Sequence, residues 1–360
     1  MLFVITMLIP LIFSKEVMHS WYGQGLFVWI RWLYDGLGII LPFPTFYLII
    51  GLLVFGFGHF IKKVFRYLKS NEWTKSLVIL LKSLGAIIVS FYWLWGFNYF
   101  GTSFFEKNDL IVEPVGFDWV AGEYHRVLDS LNYYANHTGP IVWEEIDQDV
   151  INQELLVFIG SHFAQFNTQA QVNEIIPNGL LMRLGAQGIY LPWSGQGQID
   201  AGLLDIQKPF TYLHEMAHCY GITNEGECNF IAYQVAKKSR LEGIRYAAYF
   251  AYWRYLARQM IWFDCYDESQ VSDRVLADLK AIFDNYDRYP DLFPRFRVYS
   301  YDLYLKAQGI EAGMKSYSEI IMMNHCWENR IKKKIHKYSG NIYKYTFVPC
   351  RYSLYCEIRN

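Results

Sequence analysis

The residues His214-Glu215-Met216-Ala217-His218 place two imidazoles four positions apart, with a carboxylate directly after the first. Positions i and i+4 of an α-helix share one face, so both imidazoles can reach a single metal ion. Catalytic zinc takes three protein ligands and keeps a fourth position for water. Glu215 lies one step round the helix, where it can accept a proton from that water. The pattern predicts a zinc-dependent hydrolase with His214 and His218 as ligands and Glu215 as the general base.

A third protein ligand is expected just downstream, among Asn224, Glu225, Glu227 and Cys228. We expect Gly221 to end the first helix close to the metal, which favours Glu225 as the third ligand, with Glu227 as the alternative. These glutamates are two positions apart, about 200° round a helix, so they cannot face one ion equally. Asn229, four positions after Glu225, is a candidate to orient a histidine ligand through a hydrogen bond. The competing interpretation is that both glutamates only stabilise a helix N-terminus.

The elements that must position these groups follow from local signals. A helix is predicted to begin near Pro209 and to end at Gly221, and a second to begin with Asn224 as its N-cap and run past Ala236. Residues 188–193 (GIYLPW) are predicted to form a strand. The piece that follows, SGQGQIDAG, is rich in turn-forming residues and is predicted to be a turn.

The rest of the chain after residue 100 is predicted to be mainly helical. Helical periodicity covers residues 117–137, 149–166, 243–262, 268–287 and 301–308. The expected fold is therefore α+β and mainly helical, with a small sheet, in a domain spanning residues 104–323. Residues 324–360 form an atypical tail without clear periodicity, to which we assign no function. The net charge of −1 argues against a nucleic-acid partner, and six cysteines without a CxxC pair argue against a zinc finger.

The first hundred residues are predicted to form a membrane region. Two long apolar segments at about 41–61 and 76–98 are candidate spans, and residues 1–14 are a shorter candidate. The aromatic residues that end the second segment are typical of a membrane interface. Membrane lipid is therefore an expected partner. The alternative is that both segments are buried helices of a large soluble protein.

Residues 62–75, between the two strong candidate spans, carry five Lys or Arg residues against the single acidic Glu72. The positive-inside rule predicts that this loop is cytoplasmic. Residues 104–323 would then lie on the opposite, extracytoplasmic side of the membrane. This topology describes a multipass membrane protein with an extracytoplasmic catalytic domain.

The stretch HEMAHCYG-x-x-x-E-x-E-C-N-F-I-A resembles the gluzincin branch of zinc peptidases, in which HExxH precedes a helix bearing E-x-x-x-D or E-x-x-x-N. More closely, the chain is similar to an uncharacterised family of bacterial membrane proteins with a zincin-like domain. The likeness covers roughly residues 20–323 and includes WGFNYF, GIYLPW, PFTYLHEMAHCYG, EGECNFIAY and YDLYLKAQGIEAGMKSYSEI. It implies a zincin-like fold, Zn²⁺ as cofactor and residence in the bacterial inner membrane. The family pattern often has a glutamate in the loop after the strand, whereas this chain has SGQGQID there.

The first functional hypothesis is a membrane-anchored zinc metallopeptidase that hydrolyses peptide bonds of an envelope protein or peptide. By analogy with zincins, the strand at residues 188–193 would pair with an extended substrate. A second hypothesis is a catalytically inactive zincin-like module that binds or senses a partner in the membrane. A third is a structural or transport component, which would need ionisable residues inside the spans. Only Lys82 and His59 occur there, both near span ends.

Overall fold

The structure is a computed structural model that describes residues 1–41, 43–111, 113–295, 298–300, 303 and 319–338, with side chains described as far as residue 330 in the last range. Most of the predicted helix at 301–308, most of the YDLYLKAQGIEAGMKSYSEI piece and the tail from residue 339 lie outside the described residues. The described part is mainly helical with one small sheet, which confirms the expected secondary-structure class.

The first part of the chain contains α1 (Leu2–Ile12), α2 (Lys15–Met18), a π-helical stretch (His19–Leu26), α3 (Phe27–Ile40), α4 (Thr45–Lys69) and α5 (Trp73–Leu94). A 3-10 turn (Gly96–Phe100) leads into α6 (Phe104–Lys107), α7 (Phe117–His137) and α8 (Gln148–His162). The strands β1 (Val172–Ile175), β2 (Gly188–Leu191) and β3 (Gln196–Asp200) follow. The remaining helices are α9 (Lys208–Cys219), α10 (Glu225–Ala236), α11 (Glu242–Trp262), α12 (Asp273–Arg288) and α13 (Ile320–Tyr338).

The three strands form a sheet in the order β1-β3-β2, in which β3 is parallel to β1 and antiparallel to β2. The predicted strand at 188–193 is confirmed over Gly188–Leu191 as β2, and Pro192 and Trp193 lie in the turn that follows. The predicted turn over SGQGQIDAG is wrong, because Gln196–Asp200 is the central strand and is buried along its whole length. Its glycine and glutamine residues are typical of a turn, but a glycine is needed in this strand because α9 lies close to it. A Cβ at Gly197 would lie 2.9 Å from Cβ of Glu215 on α9.

Helix α9 ends in a reversal that brings α10 back beside it. Gly221 adopts a φ of +85°, its amide donates to the carbonyl of His218, and the amide of Ile222 donates to Ala217. This is a Schellman-type helix end, which glycine favours because it lacks a Cβ. Asn224 then caps α10, since its side chain accepts a 2.9 Å hydrogen bond from the Glu227 amide. Both helix boundaries agree with the predicted signals.

Helices α4 and α5 form a hairpin of two candidate membrane-spanning helices, which suggests membrane association. Their 25 and 22 residues give lengths of about 37 and 33 Å, enough to cross an apolar core of about 30 Å. Their most apolar windows are 0% buried. The predicted spans at 41–61 and 76–98 differ at their ends, because α4 begins after Pro44 and continues to Lys69. With 11 residues, about 17 Å, α1 is too short to cross alone.

The domain core extends further along the chain in both directions than the predicted 104–323. Met18, Tyr22 and Phe27 are buried in the same hydrophobic cluster as α7, α9 and α10. At the other end, α13 runs as a helix through part of the predicted tail, and Trp327 packs on Phe230 with ring centroids 5.5 Å apart. The start of the tail is therefore an ordered helix with a buried face.

Candidate functional site

The two histidines of the HExxH pattern lie on one face of α9 and are almost fully buried. Nδ1 of His214 is 2.9 Å from Oδ1 of Asn229, and Nδ1 of His218 is 2.8 Å from the carbonyl oxygen of Ile222. Both oxygens are acceptors, so each Nδ1 carries the proton and donates it. In the neutral imidazoles the Nε2 atoms therefore keep lone pairs. They face each other at 3.2 Å, an arrangement that is favourable only with a proton or a metal ion between them.

Glu225, the first residue of α10, completes this group. Its Oε2 lies 3.0 Å from Nε2 of His214 and 3.4 Å from Nε2 of His218. Ligand atoms 2.0–2.1 Å from a tetrahedral zinc are separated from one another by about 3.3–3.4 Å. The three observed separations of 3.0, 3.2 and 3.4 Å are close to that edge length. The donor set of two imidazole nitrogens and one carboxylate oxygen could hold a metal ion.

The electrostatics of the group also favour a cation. Burial lowers the pKa of His218, but Cys228 and Glu225 outweigh burial and raise that pKa well above the ordinary imidazole value. Burial raises the pKa of Glu225, but the charge and hydrogen bonds of the two histidines bring it well below the ordinary value. The group therefore attracts positive charge strongly, and without a metal it takes up a proton. A divalent ion would compete with that proton.

Glu215 is packed between α9 and the sheet. A Cβ at Gly188 in β2 would lie 2.5 Å from Oε1 of Glu215, so the strand leaves room for the carboxylate only because that position is glycine. Burial raises the pKa of the Glu215 carboxyl to about 7, against the opposing effect of His214 and His218. Its Oε2 has no hydrogen-bond partner among the described residues. A buried carboxylate with one unpaired oxygen and a pKa near neutrality is suited to take and return a proton.

The alternative ligand Glu227 lies elsewhere. Its carboxylate accepts hydrogen bonds of 3.1 and 2.9 Å from the backbone amides of Phe104 and Phe105, at the start of α6. Burial raises the pKa of this carboxyl to about 7. Its contacts show why both glutamates are present: Glu225 faces the histidines, and Glu227 joins α10 to the segment that follows α5.

Sequence reasoning missed Trp95, the residue directly after α5. Its indole nitrogen donates a 2.9 Å hydrogen bond to the carbonyl of His218, and its ring packs 5.3 Å from Tyr190 in β2. The sequence predicts that this aromatic stretch lies at the lipid interface, but Trp95 is buried in the domain. The available signal was the abrupt change from an apolar helix to WGFNYF, which is typical of a chain leaving a membrane and entering a folded domain.

Comparison with known proteins gives one finding about ancestry. A family model described as protein of unknown function (DUF3810) matches residues 22–323. No curated protein matches the chain. No solved structure matches it either. The matched range agrees with the resemblance described for roughly residues 20–323, and it leaves the tail outside. The family match covers most of the chain, and the protein therefore belongs to the DUF3810 family of proteins of unknown function.

Proposed function

We propose that the protein is a membrane-anchored zinc metallopeptidase of zincin type that hydrolyses peptide bonds of an envelope protein or peptide. The observation that carries this proposal is the triangle of Nε2 of His214, Nε2 of His218 and Oε2 of Glu225, with sides of 3.0–3.4 Å. Three ligand atoms at the edge length of a zinc tetrahedron are favourable only with a proton or a metal ion among them. Asn229 and the Ile222 carbonyl hold both imidazoles with Nε2 turned toward that position.

Bound zinc would supply Lewis acidity, which lowers the pKa of water in its open position and polarises a carbonyl. Glu215 is the residue of this chain that moves the proton. Its carboxylate accepts a proton from the attacking water and returns it to the leaving amine, a role that fits a pKa of about 7. Among the described residues β2 pairs only with β3, so its other edge can pair with an extended peptide.

A second candidate is a zincin-like module that uses the metal for stability and binds or senses a partner. The specific observation in its favour is the depth of the group: the side chains of His214, His218 and Glu225 are 11%, 9% and 6% exposed. Structural metal sites are closed, whereas catalytic sites keep a position open to substrate. Turnover distinguishes the two candidates, because both predict bound metal.

The test measures zinc content and peptide hydrolysis on the full chain purified in detergent. We expect about one zinc per chain, lost in His214→Ala and His218→Ala. Glu227→Gln is the matched control: it alters a buried glutamate on α10 outside the ligand group, so zinc content should be unchanged. Glu215→Gln should retain zinc and lower the cleavage of a mixed peptide library by about 10²–10⁴-fold.

Full zinc content in both histidine variants would refute the metal site. Zinc binding by a wild-type chain that cleaves no peptide would favour the second candidate.

We also propose that the protein lies in the bacterial inner membrane with the α4–α5 turn in the cytoplasm and the metal group outside. The basic residues that end α4, including Arg66 and Lys69, support this orientation. A reporter that is active only outside the cytoplasm should work when fused after residue 110 and remain silent when fused at residue 71. The reverse pattern would place the metal group in the cytoplasm.

A further inference from the structure

Helix α3 presents its apolar residues outward and its charged residues inward. Its outward face is formed by large apolar side chains that are 48–81% exposed: Trp29, Trp32, Leu33, Leu37, Ile39 and Ile40. Its inward face carries Arg31 and Asp35, which are 1% and 2% exposed and form an ion pair of 2.6 Å. A helix in contact with water has the opposite arrangement. A contiguous exposed apolar face of this kind marks a contact with another apolar phase.

The position of α3 identifies that phase as the lipid bilayer. The Tyr34 hydroxyl of α3 donates to the carbonyl of Pro192 in the β2–β3 turn. The same turn is held by Thr45, which begins α4 and donates to the Ser194 carbonyl, and by Trp193, which donates to Ser90 near the end of α5. The turn, α3 and the domain-side ends of both candidate spans therefore meet at one level. The outward face of α3 therefore lies at the end of the hairpin that would enter the membrane.

The group of His214, His218 and Glu225 lies close to the level of the β2–β3 turn. Trp95 follows the last residue of α5, and its ring centroid is 6.2 Å from that of His218. Phe27 of α3 lies at the end of α9, where a Cβ at Gly221 would be 3.0 Å from its ring. Because a helix with its side chains is about 10–12 Å across, the group is on the order of 10–15 Å from the outward face of α3. An extended chain advances about 3.3 Å per residue, so about three to five residues join the membrane to the site.

We infer that the site acts on polypeptides that are themselves held in the membrane, and that it cleaves them within about five residues of the anchoring segment. This inference rests on the proposed peptidase function. The substrate class is a membrane-spanning or lipid-anchored polypeptide with an unfolded juxtamembrane stretch. The outward face of α3 lies in the bilayer surface. This contact keeps β2 and the group of His214, His218 and Glu225 close to the membrane surface. Confinement to one membrane raises the effective concentration of an anchored substrate over a soluble one.

The cleavage test uses the full chain reconstituted in phosphatidylethanolamine–phosphatidylglycerol vesicles. The probe is a pool of single-span peptides with a randomised segment directly beside the span, and fragments are identified by mass spectrometry. One control pool separates the same segment from the span by a long Gly-Ser linker, and another omits the span. We expect the adjacent segment to be cleaved at least about tenfold faster than either control.

Equal cleavage of all three pools would retain the peptidase and overturn the membrane restriction. Cleavage of none by the zinc-loaded chain would overturn the peptidase and this inference with it.

The position of α3 is tested without any activity. The exposed Cys265, the half-buried Cys326 and the two cysteines near the C-terminus, Cys350 and Cys356, are first replaced by serine. Single cysteines are then introduced as Trp32→Cys and Leu37→Cys, labelled with an environment-sensitive fluorophore and exposed to doxyl-labelled lipids. The matched control is Phe283→Cys on α12, since Phe283 is 56% exposed and Trp32 is 54% exposed.

Strong quenching at positions 32 and 37 but not at 283 is expected. Equal quenching at all three positions would overturn the placement of α3 in the lipid, whether or not the protein is a peptidase.

Discussion

Two buried polar groups lie on or beside α9, and they differ in whether their charges cancel within the protein. Near its C-terminus, Arg31 and Asp35 of α3 are close enough to Cys219 to influence its pKa. The Nε and Nη2 atoms of Arg31 lie 2.9 and 2.6 Å from one Asp35 oxygen, and the other oxygen accepts the hydroxyl of Thr168. This ion pair neutralises itself within the protein. The charges of the pair cancel within α3, although Nη1 of Arg31 has no hydrogen-bond partner among the described residues.

The group of His214, His218 and Glu225, on the other face of α9, holds one carboxylate against two imidazoles that can be neutral or protonated. Three acceptor atoms of His214, His218 and Glu225 converge at 3.0–3.4 Å, and the nearest donors point outward to Asn229 and Ile222. Desolvated acceptors that face one another are costly unless a proton or a metal ion joins them. Burial alone therefore does not identify a ligand site. The useful distinction is whether the charges inside the protein cancel. Two experiments test that distinction, and a third tests a buried histidine elsewhere.

The largest effect is expected from breaking the Arg31–Asp35 ion pair. Arg31→Met or Asp35→Leu alone should lower the free energy of unfolding by about 3–5 kcal/mol, because each leaves one buried charge unpaired. The double variant should recover most of the loss, since a self-contained pair can be replaced by apolar side chains. Chemical unfolding of the detergent-solubilised chain measures both effects.

The control for this experiment is Arg240→Met, in which an exposed arginine 3.8 Å from Glu154 is removed at a cost of at most about 1 kcal/mol. A double variant as unstable as the single variants would mean that the pair has partners beyond itself.

An intermediate effect is expected at the group of His214, His218 and Glu225. Asn229→Ala removes the acceptor that holds His214 and should weaken zinc binding by about 10–100-fold, while leaving the three ligands in place. Competition with a zinc chelator measures the affinity. Asn152→Ala is the control. It removes the 2.8 Å hydrogen bond that Asn152 of α8 accepts from Tyr212 of α9, and it does not alter a ligand. An equal loss of affinity in both variants would show that α9 is merely loosened.

The smallest effect concerns pH and the attachment of α2 and the π-helical stretch. Burial, with the nearby Lys107 charge, lowers the pKa of His19 to about 4. A folded-state pKa below the unfolded value of about 6.5 means that the stability linked to His19 is present above pH 6.5. It is lost as pH falls from about 6.5 toward 4. We expect this contribution to be on the order of 1–2 kcal/mol, less than the full linkage value because the ring is partly solvated.

His19→Gln should therefore lose less stability than the wild type when thermal unfolding is compared at pH 7 and pH 4.5. His125→Gln, at an exposed position on α7, should follow the wild type. A His19 variant with the same acid sensitivity as the wild type would assign that sensitivity to other groups.

Local patterns in the sequence were sufficient for several elements of this protein. The HExxH spacing, the stop at Gly221 and the cap at Asn224 predicted α9, α10 and the reversal between them, because helix capping depends on neighbouring residues. Apolar length predicted the α4–α5 hairpin, since a span is defined by composition over about 20 residues. The expectation of a mainly helical chain with a small sheet was likewise correct.

Tertiary structure decided the features that depend on residues far apart in the chain. The central strand Gln196–Asp200 has a turn-like composition, because Gly197 must make room for Glu215 from another element. The different positions of Glu225 and Glu227 follow from α6, whose amides occupy Glu227. The inward charges of α3 and the bond from Trp95 to His218 appear only when the first hundred residues pack on the domain. The hydrogen bonds from Phe104 to Glu227 and from Trp95 to His218 each join positions 123 residues apart, and no local pattern encodes them.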